Sequence, residues 1–303
     1  WYQAWYRGYR RRRIVSLLPV PVEPSPVREF SADYLRRTRE GLWEDREALA
    51  DLELDSRERV LDVGCGTGEL TRVLAAETPG QVVGVDADTS LLAVANDRRG
   101  PEESTSFVAG DAHRLPFPDD HFDLVVCQAL LVNLPDPERA VREFARISTD
   151  VVAAVEPDNA AVSVESTVDA ERELARRARA AFVAGVDTDV ALGGEGTRAA
   201  FHDVGLHDVR TREQYHAKTV EPPYDERDLE AARRKASGEA LADRRETLVG
   251  PLDPEDYDRL RSAWREMGRE VVEQMADREY RRSEVVPFYV TVGRVDGEPA
   301  SPR

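Results

Sequence analysis

The residues best suited to chemistry begin with Gly64-Cys65-Gly66-Thr67-Gly68. Glycines at this spacing let the backbone turn tightly and approach a ligand that any Cβ would obstruct. A helix opening at Gly68 would add unpaired N–H groups and the positive end of its dipole, which suit a carboxylate. Asp86 closes the next apolar stretch, where its carboxylate can accept from both hydroxyls of a ribose. Turn and carboxylate together point to an adenosine-containing ligand. A glycine turn alone also serves nicotinamide and flavin sites. Here Glu69 stands where Gly-x-Gly-x-x-Gly would require its third glycine.

The elements that must hold these residues alternate. Strands are predicted at Arg59–Val63, Gln81–Asp86, Thr105–Ala109, Phe122–Cys127 and Val151–Glu156. Helices are predicted at Gly68–Glu77, Thr89–Arg98 and Pro137–Ile147. Such alternation specifies an α/β fold, a doubly wound parallel sheet with helices on both faces. Apolar runs such as Val82–Val85 suit strands buried on both sides. Before them, Ser31 can cap a helical pattern running through Tyr34, Leu35, Leu42, Trp43 and Leu49. After Pro157 come a helix at Glu165–Val183, a flexible Gly193-Gly-Glu-Gly196, a helix at Thr197–Val204 and a strand near His207–Arg212. A charged helical stretch over 222–284 and a closing strand at Val286–Val295 complete the chain. The expected organisation is an arm (1–30), a core (31–215 with 285–296, of which 158–195 is partly cap) and a helical insertion (216–284).

Composition narrows the function. Among 303 residues, 59 are acidic and 42 basic, a net charge of −17, and Lys218 and Lys235 are the only lysines. This resembles proteins of extreme halophiles, where salt screens self-repulsion. It speaks against a nucleic-acid partner. Cys65 and Cys127 lie far apart in core segments, so reduced thiols are expected and no metal-ligand spacing is present. No apolar run approaches the about 18 residues that cross a membrane, and a cytoplasmic location is expected. The chain begins at Trp1 rather than Met, as a trimmed or truncated sequence would. The arm interleaves Trp1, Tyr2, Trp5, Tyr6 and Tyr9 with arginines before a proline-rich connector. It is expected to pack on its own domain or on a second copy, and the cap is the other candidate for homo-oligomer contacts.

Val60-Leu-Asp-Val-Gly-Cys-Gly-Thr-Gly68 resembles the first motif of class I S-adenosylmethionine-dependent methyltransferases, and Gly84-Val-Asp-Ala-Asp88 their second. The stretch from Gly110 to Cys127 resembles the third motif and fourth strand of their small-molecule branch. Leu134-Pro-Asp-Pro-Glu-Arg-Ala and Glu143-Phe-Ala-Arg-Ile147 continue the match, which covers about 55–158. The resemblance implies a seven-stranded Rossmann-like sheet with an antiparallel last strand. It also implies roles: Gly64, Cys65, Gly66 and Gly68 would line the methionine part, and Asp62 would position its ammonium. Asp86 would hold the ribose, with Ala87 beside the adenine. Asp111 would accept from the adenine amino group, Ala112 would donate to the ring, and Gln128 would sit beside methionine and ribose.

Because a sulfonium already carries an activated methyl, such a protein needs mainly to align a nucleophile and exclude water. Were a base needed, the candidates are Glu156, Asp158, His113 and His216. Tyr34 and Trp43 could close over the cofactor. The branch often carries histidines where Val132 and Asn133 stand, and the Asp/Asn-Pro-Pro-Tyr motif of adenine-N6 enzymes is replaced by Gln128-Ala-Leu-Leu. The expected activity is methyl transfer to a small molecule. The alternatives are an RNA or protein acceptor docked by the arm, and a non-catalytic adenosine-binding or assembly protein.

Overall fold

The computed structural model describes residues 31–39, 41–100 and 105–295. The predicted arm therefore lies outside the described residues. Five parallel strands, β1 (Arg59–Val63), β2 (Gln81–Asp86), β3 (Thr105–Ala109), β4 (Phe122–Gln128) and β5 (Ser148–Pro157), lie in the order β3-β2-β1-β4-β5. Three more follow: β6 (Ser163–Ser166), β7 (His207–Val220) and β8 (Arg282–Arg294). β8 inserts antiparallel between β5 and β7, as the resemblance implies, while β6 pairs with its first four residues. The sheet thus has eight strands rather than seven.

The helices are α1 (Ala32–Arg39), α2 (Glu69–Glu77), α3 (Thr89–Asp97), α4 (Pro137–Ile147), α5 (Asp169–Gly185), α6 (Gly193–Val204), α7 (Glu226–Ser237), α8 (Glu239–Ala242), α9 (Arg245–Leu248) and α10 (Pro254–Ala276). In α4, Asp136 caps the first turn by accepting the Arg139 N–H at 3.0 Å, and Pro137 starts the helix where no N–H is needed. Ala140, Val141, Phe144 and Ile147 then recur on one face and are fully buried. Truncating a side chain such as Phe144 would cost about 3–5 kcal/mol. α4 and α6 cover one face of the sheet, and α2 with the 42–54 segment covers the other.

A third core joins the segments on either side of β7. Val168, Leu174 and Ala181 pack with Ala232, Leu241, Leu248, Leu260, Met267 and Val271, so α5 and α7–α10 form one cap. Among the described residues no helix is long and apolar enough to cross a membrane.

Several expectations need correction. The leading helix stops at Arg39, Gly41 turns at φ +79°, and Glu47–Leu52 is a 3-10 turn. The predicted helix at 165–183 starts later, because Ser163–Ser166 pair with β8. Gly193–Gly196 is the first turn of α6 rather than a flexible link; Thr197 Oγ1 donates to the Gly193 carbonyl at 2.6 Å, and Gly194 lies against the Tyr289 ring. The boundary at 216 cuts a strand: β7 runs on to Val220, paired with β8 through Val220↔Arg282. Its polar outer sequence hides that ladder from pattern reading.

Candidate functional site

β1 is flanked by β2 and β4, so the chain reverses its winding there and leaves a crevice beyond their carboxyl ends. The loop 64–68 leaves β1 at that crevice. Gly64, Gly66 and Gly68 have φ of +70°, +55° and +77°, a region costly for any L side chain. A Cβ on Gly66 would stand 2.9 Å from Leu35 Cδ1. The Gly64 and Cys65 N–H groups donate to the Val85 carbonyl at 2.7 and 3.0 Å, tying the turn to β2.

Asp86 braces the same loop. Its Oδ2 accepts the Gly66 N–H at 2.7 Å and its Oδ1 the Asp88 N–H at 2.8 Å. Each oxygen keeps a lone pair for a hydroxyl donor, and burial raises the carboxyl above its usual range. Asp62 is 1% exposed. Its Oδ2 accepts from Thr71 Oγ1 at 2.6 Å, whereas Oδ1 is buried without a donor. Burial pushes its pKa up to about 7, opposed by the Thr71 hydroxyl and the Arg39 guanidinium. Across the crevice, Gln128 Oε1 accepts from Trp43 Nε1 at 3.2 Å, while its Nε2 is buried without an acceptor. One orphaned acceptor and one orphaned donor match the ammonium and carboxylate of an amino acid.

The adenine-side expectations fall together at one edge. The Gly110 N–H donates to the Asp86 carbonyl at 3.0 Å, which sets the 110–112 turn beside the end of β2. Ala87 is exposed and Ala112 half-buried. The Asp111 side chain is 66% exposed and accepts the His113 N–H at 2.9 Å, so it also serves as a turn carboxylate.

The proposed bases are not gathered. Glu156 is fully buried; its Oε1 accepts the Leu130 and Leu131 N–H groups at 3.0 Å each, and Oε2 accepts that of Val132 at 3.2 Å. It organises the turn after β4 rather than facing a substrate. Asp158 Oδ1 accepts the Ala160 N–H at 2.8 Å. The His113 ring contacts the Asp136 carbonyl at 3.0 Å. His216 is buried edge-to-face against Phe288, and burial lowers its pKa. Trp43 is a core residue tied to Gln128 rather than a cover over the crevice.

Beside the crevice lies a cavity of about 1510 Å³ between α1, the ends of β4 and β5, and the cap. Tyr34, Val132 and Asn133 line it, and none of the four proposed bases does. Leu35 and Arg39 of α1 form the partition: both lie over Gly66, and Arg39 donates to the Gln128 carbonyl at 3.4 Å. Sequence reasoning missed both, along with Thr71 and Ala129, whose φ of +49° follows Gln128 directly. A hydroxyl donor in the first turn of the helix that follows a strand Asp was a readable signal for Thr71; Ala129 offered none.

The methyltransferase domain family matches residues 61–150, the stretch that builds this crevice. Over these residues the chain is similar to the class I S-adenosylmethionine-dependent methyltransferases. S-adenosylmethionine is the cofactor that this family match implies for the crevice. The chain is similar to the methyltransferase GfsG of Streptomyces halstedii, 37% identical over 32% of this chain and 36% of that one. The 2-phytyl-1,4-naphtoquinone methyltransferase of Synechococcus elongatus is 37% identical over 41% of this chain and 54% of its own. The ubiquinone/menaquinone biosynthesis C-methyltransferase UbiE of Ectopseudomonas mendocina is 43% identical over 29% and 37%. The matched part thus spans between about a third and about half of these relatives.

Proposed function

We propose that this protein transfers the methyl group of S-adenosylmethionine to a small molecule held in the cavity beneath the cap. The observation that carries the reading is the juxtaposition of the glycine loop with that cavity across Arg39 and Gln128. The cofactor supplies an already activated methyl. Asp62 Oδ1 and Gln128 Nε2 would hold its amino-acid end, with Gly64, Cys65, Gly66 and Gly68 giving the backbone clearance. Asp86 would take the ribose, and Ala87, Asp111 and Ala112 the adenine. Alignment of a nucleophile against a fixed methyl can supply roughly 7–11 kcal/mol of barrier reduction, and α1 with the cap would exclude water. The cavity wall beside Gln128, made of Arg39, Ala129, Val132, Asn133 and Pro157, has no carboxylate or imidazole that could act as a base. That favours an acceptor atom that reacts without a protein base. The quinone-related names of two of these relatives fit the small-molecule reading.

The test is calorimetry with S-adenosylmethionine and S-adenosylhomocysteine, then incubation of the protein with methyl-labelled cofactor and a cell extract. Both ligands should bind, and label should enter a low-molecular-mass product distinct from the cofactor. Label in RNA or protein would replace the acceptor class, and failure of both ligands to bind would sink the reading.

A further inference from the structure

The cavity beneath the cap has a charge opposite to that of the chain around it. In a protein of net charge −17, nine arginine and lysine side chains line this one space against four acidic ones. Both lysines of the sequence are among them. Much of the local pairing is accounted for: Arg233 binds Glu230 and Glu239, and Arg234 binds Asp243. The deeper wall is not balanced in that way. There Arg179, Arg282 and Lys235 share two carboxylates, Glu171 and Glu284. Arg244 adds a further guanidinium over the Phe182 ring, 5.2 Å from its centroid. Among the described residues no carboxylate lies within ion-pair distance of Arg244 or Arg227. Burial, with the nearby guanidiniums of Arg282 and Arg244, holds Arg179 below the usual arginine range despite Glu284. Cations crowded in partly buried surroundings are unfavourable unless something negative completes them.

A second observation is independent of charge. Two buried donors on the cavity's lining residues have no acceptor: Arg282 Nε, which lies 3.2 Å from Glu171 Oε1 without making a hydrogen bond, and Trp264 Nε1. Unmet buried donors are costly and call for oxygen acceptors. The remaining wall is apolar, with Phe182, Leu241, Leu248, Val286 and Phe288. Apolar wall, surplus guanidinium and orphaned donors together define the complement of one kind of molecule.

We infer that the methyl acceptor is an amphiphilic small molecule whose anionic group, a carboxylate, sulfonate or phosphate, seats against Arg179, Arg244 and Arg282 while its apolar body fills the cavity. This rests on the methyl-transfer reading above and names the acceptor class for the same site. Arg179 and Arg244 would be specificity-determining residues, on the cap side of the cavity and away from the glycine loop.

The test compares two probes that differ in one group, 8-anilinonaphthalene-1-sulfonate and N-phenyl-1-naphthylamine, titrated by fluorescence into the full chain saturated with S-adenosylhomocysteine. The sulfonate should bind about tenfold or more tightly than the neutral probe. Arg244→Gln and Arg179→Gln should each erode that preference while leaving neutral-probe binding and S-adenosylhomocysteine affinity unchanged. Unchanged affinity for the latter, with an unaltered circular dichroism spectrum, shows that the variants remain folded. Equal binding of the two probes, or a preference that survives both substitutions, overturns the inference. In the labelled-extract experiment the methylated product should be retained by an anion-exchange resin at neutral pH, and a labelled product in the flow-through, resolved from the cationic labelled cofactor, overturns it too. S-adenosylhomocysteine binding without anion preference removes this inference and leaves the methyltransferase reading standing. Anion preference without S-adenosylhomocysteine binding removes the methyl-transfer reading and overturns the assignment of the anion as methyl acceptor, leaving an anion-binding cavity.

Discussion

Asp62 and Thr71 are joined by a single 2.6 Å hydrogen bond, and that bond satisfies only half of the buried carboxylate. The free Oδ1 becomes a good partner for an ammonium once Asp62 is ionised. Burial has pushed its pKa up to about 7, with Asp86 and Glu69 adding like charge and Arg39 opposing them. Cofactor affinity should therefore rise between about pH 6 and about pH 8, as the carboxylate loses its proton. Asp62→Asn should weaken S-adenosylmethionine by about 10- to 100-fold, the loss of a charge-assisted hydrogen bond. It should also flatten the pH dependence. Calorimetry at several pH values decides; a variant that keeps the slope would show that another group sets it.

Gly66 combines two demands that no other residue meets. Its φ of +55° costs an L side chain about 1–2 kcal/mol, and an added Cβ would lie 2.9 Å from Leu35 Cδ1. Gly66→Ala should lower the melting temperature by several degrees and cut cofactor affinity at least tenfold. Adding Leu35→Ala removes the clash but not the backbone strain. The double variant should regain part of the stability, beyond what the two single effects sum to, without regaining affinity. Recovery of both would mean that α1, not the ligand, sets the need for glycine.

The parts of this site that could be read from sequence are those written in local backbone rules. Gly64–Gly68 and Asp86 announce a tight turn and a strand-end carboxylate, and apolar alternation with Asp136-Pro137 fixes β4 and α4 almost to the residue. Side chains reached across the fold were not legible. That Arg39 would lie over Gly66, or that Glu156 would be spent on three N–H groups of the 130–132 turn, follows from packing between residues far apart in sequence. β7 beyond Arg212 was lost for a different reason. Its exposed edge is polar on alternate residues, and its partner lies some seventy residues away in β8.

Glu156 separates a structural carboxylate from a catalytic one. It accepts three backbone N–H groups, and Gln in its place would turn an amide donor toward one of them. Glu156→Gln should cost about 1–3 kcal/mol of stability. The folded-state pKa is raised to about 7 by burial, above the unfolded value near 4.3. Its contribution to stability therefore declines as pH rises between those values, and Glu156→Gln should remove that slope. Thermal melts across pH are the measurement. Loss of turnover with an unchanged melting profile would instead restore Glu156 as a base.

Glu171 should give the opposite slope from within the cap. It is 1% exposed, accepts from the Tyr280 hydroxyl at 2.8 Å and from Ser166 Oγ at 2.6 Å, and pairs with Lys235 and Arg282. Burial raises its pKa, but Lys235, Ser166 and Arg282 outweigh that and hold the carboxyl below its usual range. A depressed folded-state pKa contributes stability that is present above the unfolded value near 4.3 and is lost as pH falls through the folded one. Glu171→Gln strands two cations in the cap and should cost about 3–5 kcal/mol at neutral pH. The gap between variant and wild type should then narrow as the pH drops below about 4. Trp264 fluorescence can follow the cap through this titration, because that residue packs against the same core. A gap that stays constant with pH would mean that Glu171 acts through shape and hydrogen bonding, not charge.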